Sequence, residues 1–297
     1  HKPSVLLAVN LYPTLYLTLA GVAMTDRPRT VGLINTSEFT RERAWRASFY
    51  RPVMKRLDRT VYGSELQRSR WLSLLQYPGE RSRVLYNGVD TEHFAPATTG
   101  AQRLSERRRL GVSPNGFLVG AVGRLVPEKN HGVLLEAVAQ LRHSGIEAQL
   151  LLVGEGRVRG QLERRAAELG VRNEVIFAGK MSDVRPALSA MDVFVLPSTH
   201  VETFSNAALE AMSMCKPVVL SNIGGASEMV RNGVHGFTLE RAELSATLAP
   251  LLTRLHSSEE LRQRIGRAAR ERVLQEFSLY SMVEGYAALI DELINES

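Results

Sequence analysis

Short apolar runs recur along this chain at intervals of roughly 20–30 residues, each followed by a stretch with helical periodicity. The clearest lie at 117–123, 149–154, 174–179, 193–198 and 217–222, with a weaker one at 236–239. Runs that are apolar throughout suit strands buried on both faces, as in a parallel sheet covered by helices. The intervening helices place Leu134, Val138 and Leu141 on one stripe, and Leu162, Ala166 and Leu169 on another. Further strands are expected near 4–9, 31–35, 59–62 and 83–86. The expected fold is α/β with parallel sheets.

A length of 297 residues accommodates two domains, each with its own core. The turn Asn87-Gly88-Val89-Asp90 and the polar stretch that follows divide the chain. Residues 1–94 form a partial first domain, 95–116 a linker and the start of the second, and 117–276 the second domain. A last helix in 277–297 sets Met282, Tyr286, Leu289 and Leu293 on one face and is expected to pack back towards the first domain. Four strands make an incomplete doubly wound sheet, so an N-terminal truncation of roughly 80–100 residues is expected. The uncharged segment from Ser4 to Met24 has the look of a signal peptide or membrane span, but Asn10 and Pro13 interrupt it. A buried strand at 5–9 and a buried helix at 14–24 account for it better.

Hydrophobic content of 44% with 23% charged residues is that of a soluble globular protein. A single cysteine, Cys215, excludes an internal disulfide and fits a reducing, cytoplasmic compartment. The seven histidines are scattered, and no Cys/His spacing suits a metal. Residues 41–70 hold nine cationic side chains against three acidic ones, an excess equal to the whole chain's +6. Trp45, Phe49, Tyr50 and Tyr62 are interleaved with them. This stretch reads either as a solvated helix face or as a peripheral contact with an anionic membrane. No nucleic-acid module accompanies it, so no nucleic-acid partner is expected.

The chemistry-bearing clusters all follow strand ends, where ligands of open α/β sheets bind. After the run at 117–123 come Gly123, Arg124 and Lys129, two bases able to neutralise a diphosphate, with Asn130 expected to cap the next helix. Gly154, Gly156 and Gly160 resemble a dinucleotide fingerprint but with one residue too many in the last gap. After 193–198 comes Glu202-Thr203-Phe204-Ser205-Asn206 and then Glu210. Ser205 and Asn206 can cap a helix whose first-turn N–H groups attract anions, and Glu210 one turn in can accept two hydrogen bonds from a ribose diol. Such a site would hold a diphosphate and two sugars. The Gly224-Gly225 pair with Glu228 reads as a turn and helix start.

Gly-Arg-Leu-x-x-x-Lys-Asn at 123–130, Val-Gly-Glu-Gly at 153–156, Val-Leu-Pro-Ser at 195–198, the 202–212 segment, and Lys-Pro-Val-Val with Gly-Gly-x-x-Glu to 228 recur in one order. Together they resemble the nucleotide-sugar glycosyltransferases of family 4, over roughly residues 84–290. The resemblance implies the GT-B fold, two doubly wound Rossmann-like domains facing a cleft, the first incomplete here. It implies retaining hexosyl transfer from a UDP- or GDP-sugar to a glycan or lipid-linked acceptor, without a metal or other cofactor. Arg124 and Lys129 would carry the diphosphate, assisted by N–H groups near Phe204, Ser205 and Asn206. Glu210 would bind the ribose, and Glu202 would hold the transferred sugar. Backbone near Lys180 and Met181 would choose the base, and Gly123, Gly154, Gly156 and Thr203 would line the donor. Cys215 stands where the family has glycine at the end of the helix, which implies a left-handed residue there. Three other readings fit the same residues: a nucleotide-sugar epimerase, an NAD-dependent oxidoreductase using the 154–160 glycines, and an inactive truncated sugar-nucleotide binder.

Overall fold

The computed structural model describes residues 3–22, 27–35, 45–97, 99–200 and 202–296, without the side chains of residues 22 and 45–49. The chain divides into two compact units. The first comprises His1–Gly88, Val201–Phe204 and Leu279–Ser297; the second comprises Val89–His200 and Ser205–Ser278.

In the first unit, β1 (Val5–Val9), α1 (Leu11–Val22), β2 (Arg29–Ile34), α2 (Trp45–Met54), β3 (Arg59–Tyr62), α3 (Glu65–Leu75) and β4 (Ser82–Val84) succeed one another. The strands form a parallel sheet in the order β1-β2-β3-β4. Pro13 falls in the first turn of α1, where its missing N–H costs nothing. The β1–α1 segment is less enclosed than its sequence implies. Leu7 and Val9 are nearly half exposed on an edge strand, and Tyr12, Tyr16 and Leu19 face solvent one turn apart on α1. No helix among the described residues is long and apolar enough to cross a membrane. Of the basic stretch 41–70, residues 41–44 and the side chains of 45–49 lie outside the described residues. Several of its other bases are used within the unit: Arg51 donates to the Leu74 carbonyl, and Arg68 pairs with Glu65. Lys55 and Arg56 are exposed.

The second unit contains α4 (Gly100–Arg109), β5 (Phe117–Val122), α5 (Gly132–His143), β6 (Ala148–Val153), α6 (Arg159–Glu168) and β7 (Val175–Gly179). Next come α7 (Arg185–Ala190), β8 (Val193–Leu196), α8 (Asn206–Ser213), β9 (Val218–Ser221), α9 (Ala226–Met229), β10 (Phe237–Leu239), α10 (Leu244–Ser257) and α11 (Glu259–Glu276). The parallel sheet runs β10-β9-β8-β5-β6-β7, so strand order reverses between β5 and β8. Leu134, Val138, Leu141, Leu162 and Ala166 are buried against it, with Leu169 packed alongside. Each fully buried leucine contributes roughly 2 kcal/mol from its apolar area.

Helix α4 lies inside the stretch expected to be linker. Thr99 caps it by accepting the Gln102 N–H, and its anchor is a cation. Arg107, 1% exposed, donates to the carbonyls of Ala190, Pro114 and Gly116 and to Asp192 at 2.5 Å. Asn130 does not cap α5. It ends the 3-10 turn Pro127–Lys129 in the left-handed region (φ 52°), and His131 precedes α5. Asparagine serves both roles, and here the tight turn decides.

The last helix, α12 (Leu279–Asn295), belongs to the first unit. Leu289 and Leu293 join Val31 and Val61 in one buried cluster, with Tyr286 against it. Arg59 pairs with both Glu292 and Glu296, and Arg83 with Glu292.

Candidate functional site

Strand order reverses between β5 and β8, and the carboxyl ends of such strands are the usual ligand position in open α/β sheets. Arg124, Lys129 and the 3-10 turn lie in the loop after β5. Arg124 is exposed and makes no side-chain hydrogen bond or ion pair among the described residues; Lys129 is half-buried. The loop after β8 is tied to this turn: the Thr199 N–H donates to the Glu128 carbonyl at 2.9 Å, and the Thr199 hydroxyl to the same oxygen at 3.3 Å. The Lys129 turn and the start of the loop after β8 are therefore held together.

Ser205 is the N-cap of α8, its hydroxyl accepting the Ala208 N–H at 3.3 Å, and Asn206 is the first helical residue. The remaining first-turn N–H groups point out of the helix end. Glu210 follows one turn in, and burial pushes its carboxyl up to about 6. It is half-buried with no side-chain partner among the described residues. An acceptor-only group in that state is suited to hydroxyl donors from a ligand.

The glycines after β6 have a structural duty that the sequence did not reveal. A Cβ on Gly154 (φ 137°) would stand 1.9 Å from the Gly123 carbonyl oxygen, and one on Gly156 2.1 Å from that of Leu125. Backbone bonds knit the same loops: Leu125 N–H to Glu155 O, Gly123 N–H to Val153 O, and Gly154 N–H to Gly179 O. Both glycines are spent on loop-to-loop contact, which removes the dinucleotide reading's main support. Exposed Lys180 and half-buried Met181 follow β7 at the carboxyl ends of the strands.

Glu202, Thr203 and Phe204 are counted with the first unit. There the Thr203 hydroxyl donates to the Asn35 carbonyl at 3.4 Å, Asn87 donates to the Phe204 carbonyl at 3.2 Å, and Phe204 packs on Tyr86. Glu202 is half-buried. Sequence reading missed His131, which is 2% exposed beside the Lys129 turn. Burial, with Lys129 nearby, lowers its pKa to about 4, so it is neutral at pH 7. Its adjacency to Lys129-Asn130 was the available signal.

Residues 102–272 match the family described as Glycosyl transferases group 1. The chain belongs to that family. Residues 1–93 match Glycosyltransferase Family 4. Among curated relatives, the lipopolysaccharide core biosynthesis glycosyltransferase LpsE of Rhizobium meliloti is 32% identical over 192 residues, covering 65% of this chain and 55% of LpsE. A GDP-mannose-dependent alpha-(1-6)-phosphatidylinositol monomannoside mannosyltransferase of Mycolicibacterium smegmatis is 34% identical over 197 residues, covering 64% of this chain and 50% of the relative. The chain thus spans about half the length of these relatives. Anabaena HepE, solved in complex with UDP, superposes with a TM-score of 0.86 at 24% identity, over 96% of this chain and 78% of HepE. The fold is GT-B, with two parallel-sheet α/β units.

Proposed function

We propose that this group 1 glycosyltransferase moves a hexosyl group, with retention, from a UDP- or GDP-sugar to a glycan or glycolipid acceptor in surface polysaccharide synthesis. The observation that carries this reading is the tie between Thr199 and Glu128, which holds the Lys129 turn against the loop after β8 at the strand-order reversal. Arg124, Lys129 and the α8 N-terminus then meet the diphosphate, and half-buried Glu210 accepts the ribose hydroxyls. Glu202 holds the transferred sugar. Fixed positive groups stabilise the charge that develops on the leaving diphosphate, so the reading requires no metal. The leaving phosphate takes the acceptor's proton on the face where the new bond forms. The relatives support a nucleotide-sugar donor: HepE was solved with UDP, and the mycobacterial relative is named for GDP-mannose. LpsE's name supports a saccharide or lipid-linked acceptor.

A thermal-shift and calorimetric screen against UDP, GDP, their sugars and NAD tests the reading. A ligand that binds only the native state raises the melting temperature, by about 2.7 kcal/mol of stability at one hundred times its dissociation constant. UDP or GDP is expected to bind and NAD is not. Tight NAD binding, or no nucleotide binding at all, would overturn it. Conversion of the sugar nucleotide without any acceptor would point to an epimerase instead.

A further inference from the structure

The second unit carries a polar cavity at the opposite ends of its strands from the loops just described. Asp192 and Lys216 line it immediately before β8 and β9, Arg103 reaches in from α4, and Glu259, Arg262 and Gln263 from the start of α11. Its volume is about 140 Å³, several times the roughly 30 Å³ share of one water in the liquid.

The charges around it do not cancel. The Asp192 carboxylate is taken up by Arg103 and Arg107, both at 2.5 Å, and by the Leu118 N–H at 2.7 Å. Glu259 accepts from Gln263 and lies exposed at the rim. The cations, by contrast, keep donors in reserve. Arg103 uses one nitrogen, on Asp192; its Nε and Nη1 have no acceptor among the described residues. Arg262 uses only Nη1, on the carbonyls of Leu255 and His256. Lys216 donates to the carbonyls of Ser189 and Met191, leaving one of its three N–H groups. Its amine is enclosed, and desolvation, reinforced by the neighbouring Arg103 charge and only partly opposed by Asp192, lowers its pKa to about 7. The positive end of α11 lies at the same place, opposed by Glu259 and Glu260 in its first turn.

We infer that this cavity is a second anion site, which takes inorganic phosphate or the phosphate group of a small phosphomonoester between Arg103, Lys216 and Arg262. A tetrahedral oxyanion offers acceptors to several converging donors at once, and guanidinium forks match it in pairs.

Cys215 lines the cavity and is the chain's only cysteine, so its alkylation reports this site alone. The experiment measures maleimide labelling of the full chain at constant ionic strength, with sodium phosphate or glycerol phosphate replacing chloride. Saturable slowing, about tenfold at ten times the dissociation constant, is expected. Slowing by phosphate alone assigns the free anion; slowing by both assigns the phosphate moiety of larger molecules as well. No slowing by either overturns the site. Two exposed rim positions give variants that spare the core: Gln263→Glu should weaken the apparent affinity, and Glu259→Gln strengthen it, each by about two- to fivefold. Identical affinities in both variants and wild type would reduce the effect to nonspecific screening and overturn the site. Lys129→Ala, at the other ends of the strands, should leave the protection unchanged; loss of protection there would also overturn it.

Discussion

The proposed function gives Lys129 and Glu210 different tasks toward a nucleoside diphosphate, and their variants should separate those tasks. In the proposed function Lys129 faces charge that grows as the glycosidic bond breaks, so Lys129→Ala is expected to cut turnover by more than about 10²-fold. Near-normal transfer by that variant would remove the assignment. In the same proposal Glu210 faces ribose hydroxyls whose charge does not change, so Glu210→Gln should weaken UDP or GDP affinity by about 1–3 kcal/mol, read by calorimetry. The same substitution should stabilise the ligand-free protein at alkaline pH. The Glu210 carboxyl ionises at about 6 in the fold against an ordinary 4.5. Its contribution is therefore fully present below about pH 4.5 and is lost as pH rises through 6. Glutamine does not ionise, so at pH 8 the variant should exceed wild type by about 1 kcal/mol in urea denaturation, once solvent screening at this half-exposed site is allowed for. Weaker binding together with higher stability is the signature of a residue kept for a ligand. A variant weaker in both would make Glu210 a structural residue.

Helix α8 has eight residues in which to present Ser205 and Glu210 and then hand the chain to β9. It stops through paired bonds from the Cys215 N–H to Met212 O and from the Lys216 N–H to Ala211 O, with Cys215 left-handed at φ 57°. Gly266 of α11 packs there so closely that a Cβ would stand 2.0 Å from the Cys215 carbonyl oxygen. Cys215→Gly relieves the left-handed cost and is expected to raise stability by about 1 kcal/mol in chemical denaturation. A loss instead would mean that the half-buried thiol's packing outweighs backbone strain. This bend was legible because the family pattern has glycine at that position. The strands from β5 to β9 were legible because burial on both faces leaves uninterrupted apolar runs. Helix α4 was not: its sequence is mostly charged, and its anchor Arg107 depends on Asp192, a partner 85 positions away that no local pattern displays. The same limit hid the exposed face of α1, since an edge strand and an interior strand share one composition. The loop-to-loop role of Gly154 and Gly156 likewise depends on the separate strand that precedes Gly123.

The first unit includes α12, which lies far along the sequence from its other elements. Arg59 and Glu292 are 233 positions apart, and Val31 and Val61 have Leu289 and Leu293 as partners in their buried cluster. The second unit builds its core from its own contiguous strands and helices, including Leu252 of α10. The two units therefore have separate stability determinants, and a single melting temperature need not describe the chain. Truncating Leu293, fully buried in the first unit, to alanine should cost about 2–5 kcal/mol there and lower the first unit's transition by roughly 10–30 °C. Leu252→Ala, equally buried in the second unit, should act on the second transition instead. Differential scanning calorimetry of the two variants reads both effects in one chain. The proposed donor gives an independent check: if the second unit holds it, UDP or GDP should raise the transition that Leu252→Ala lowers and leave the Leu293-dependent one in place. If both variants and the nucleotide move one common transition together, the units unfold as a single cooperative body and the separation fails.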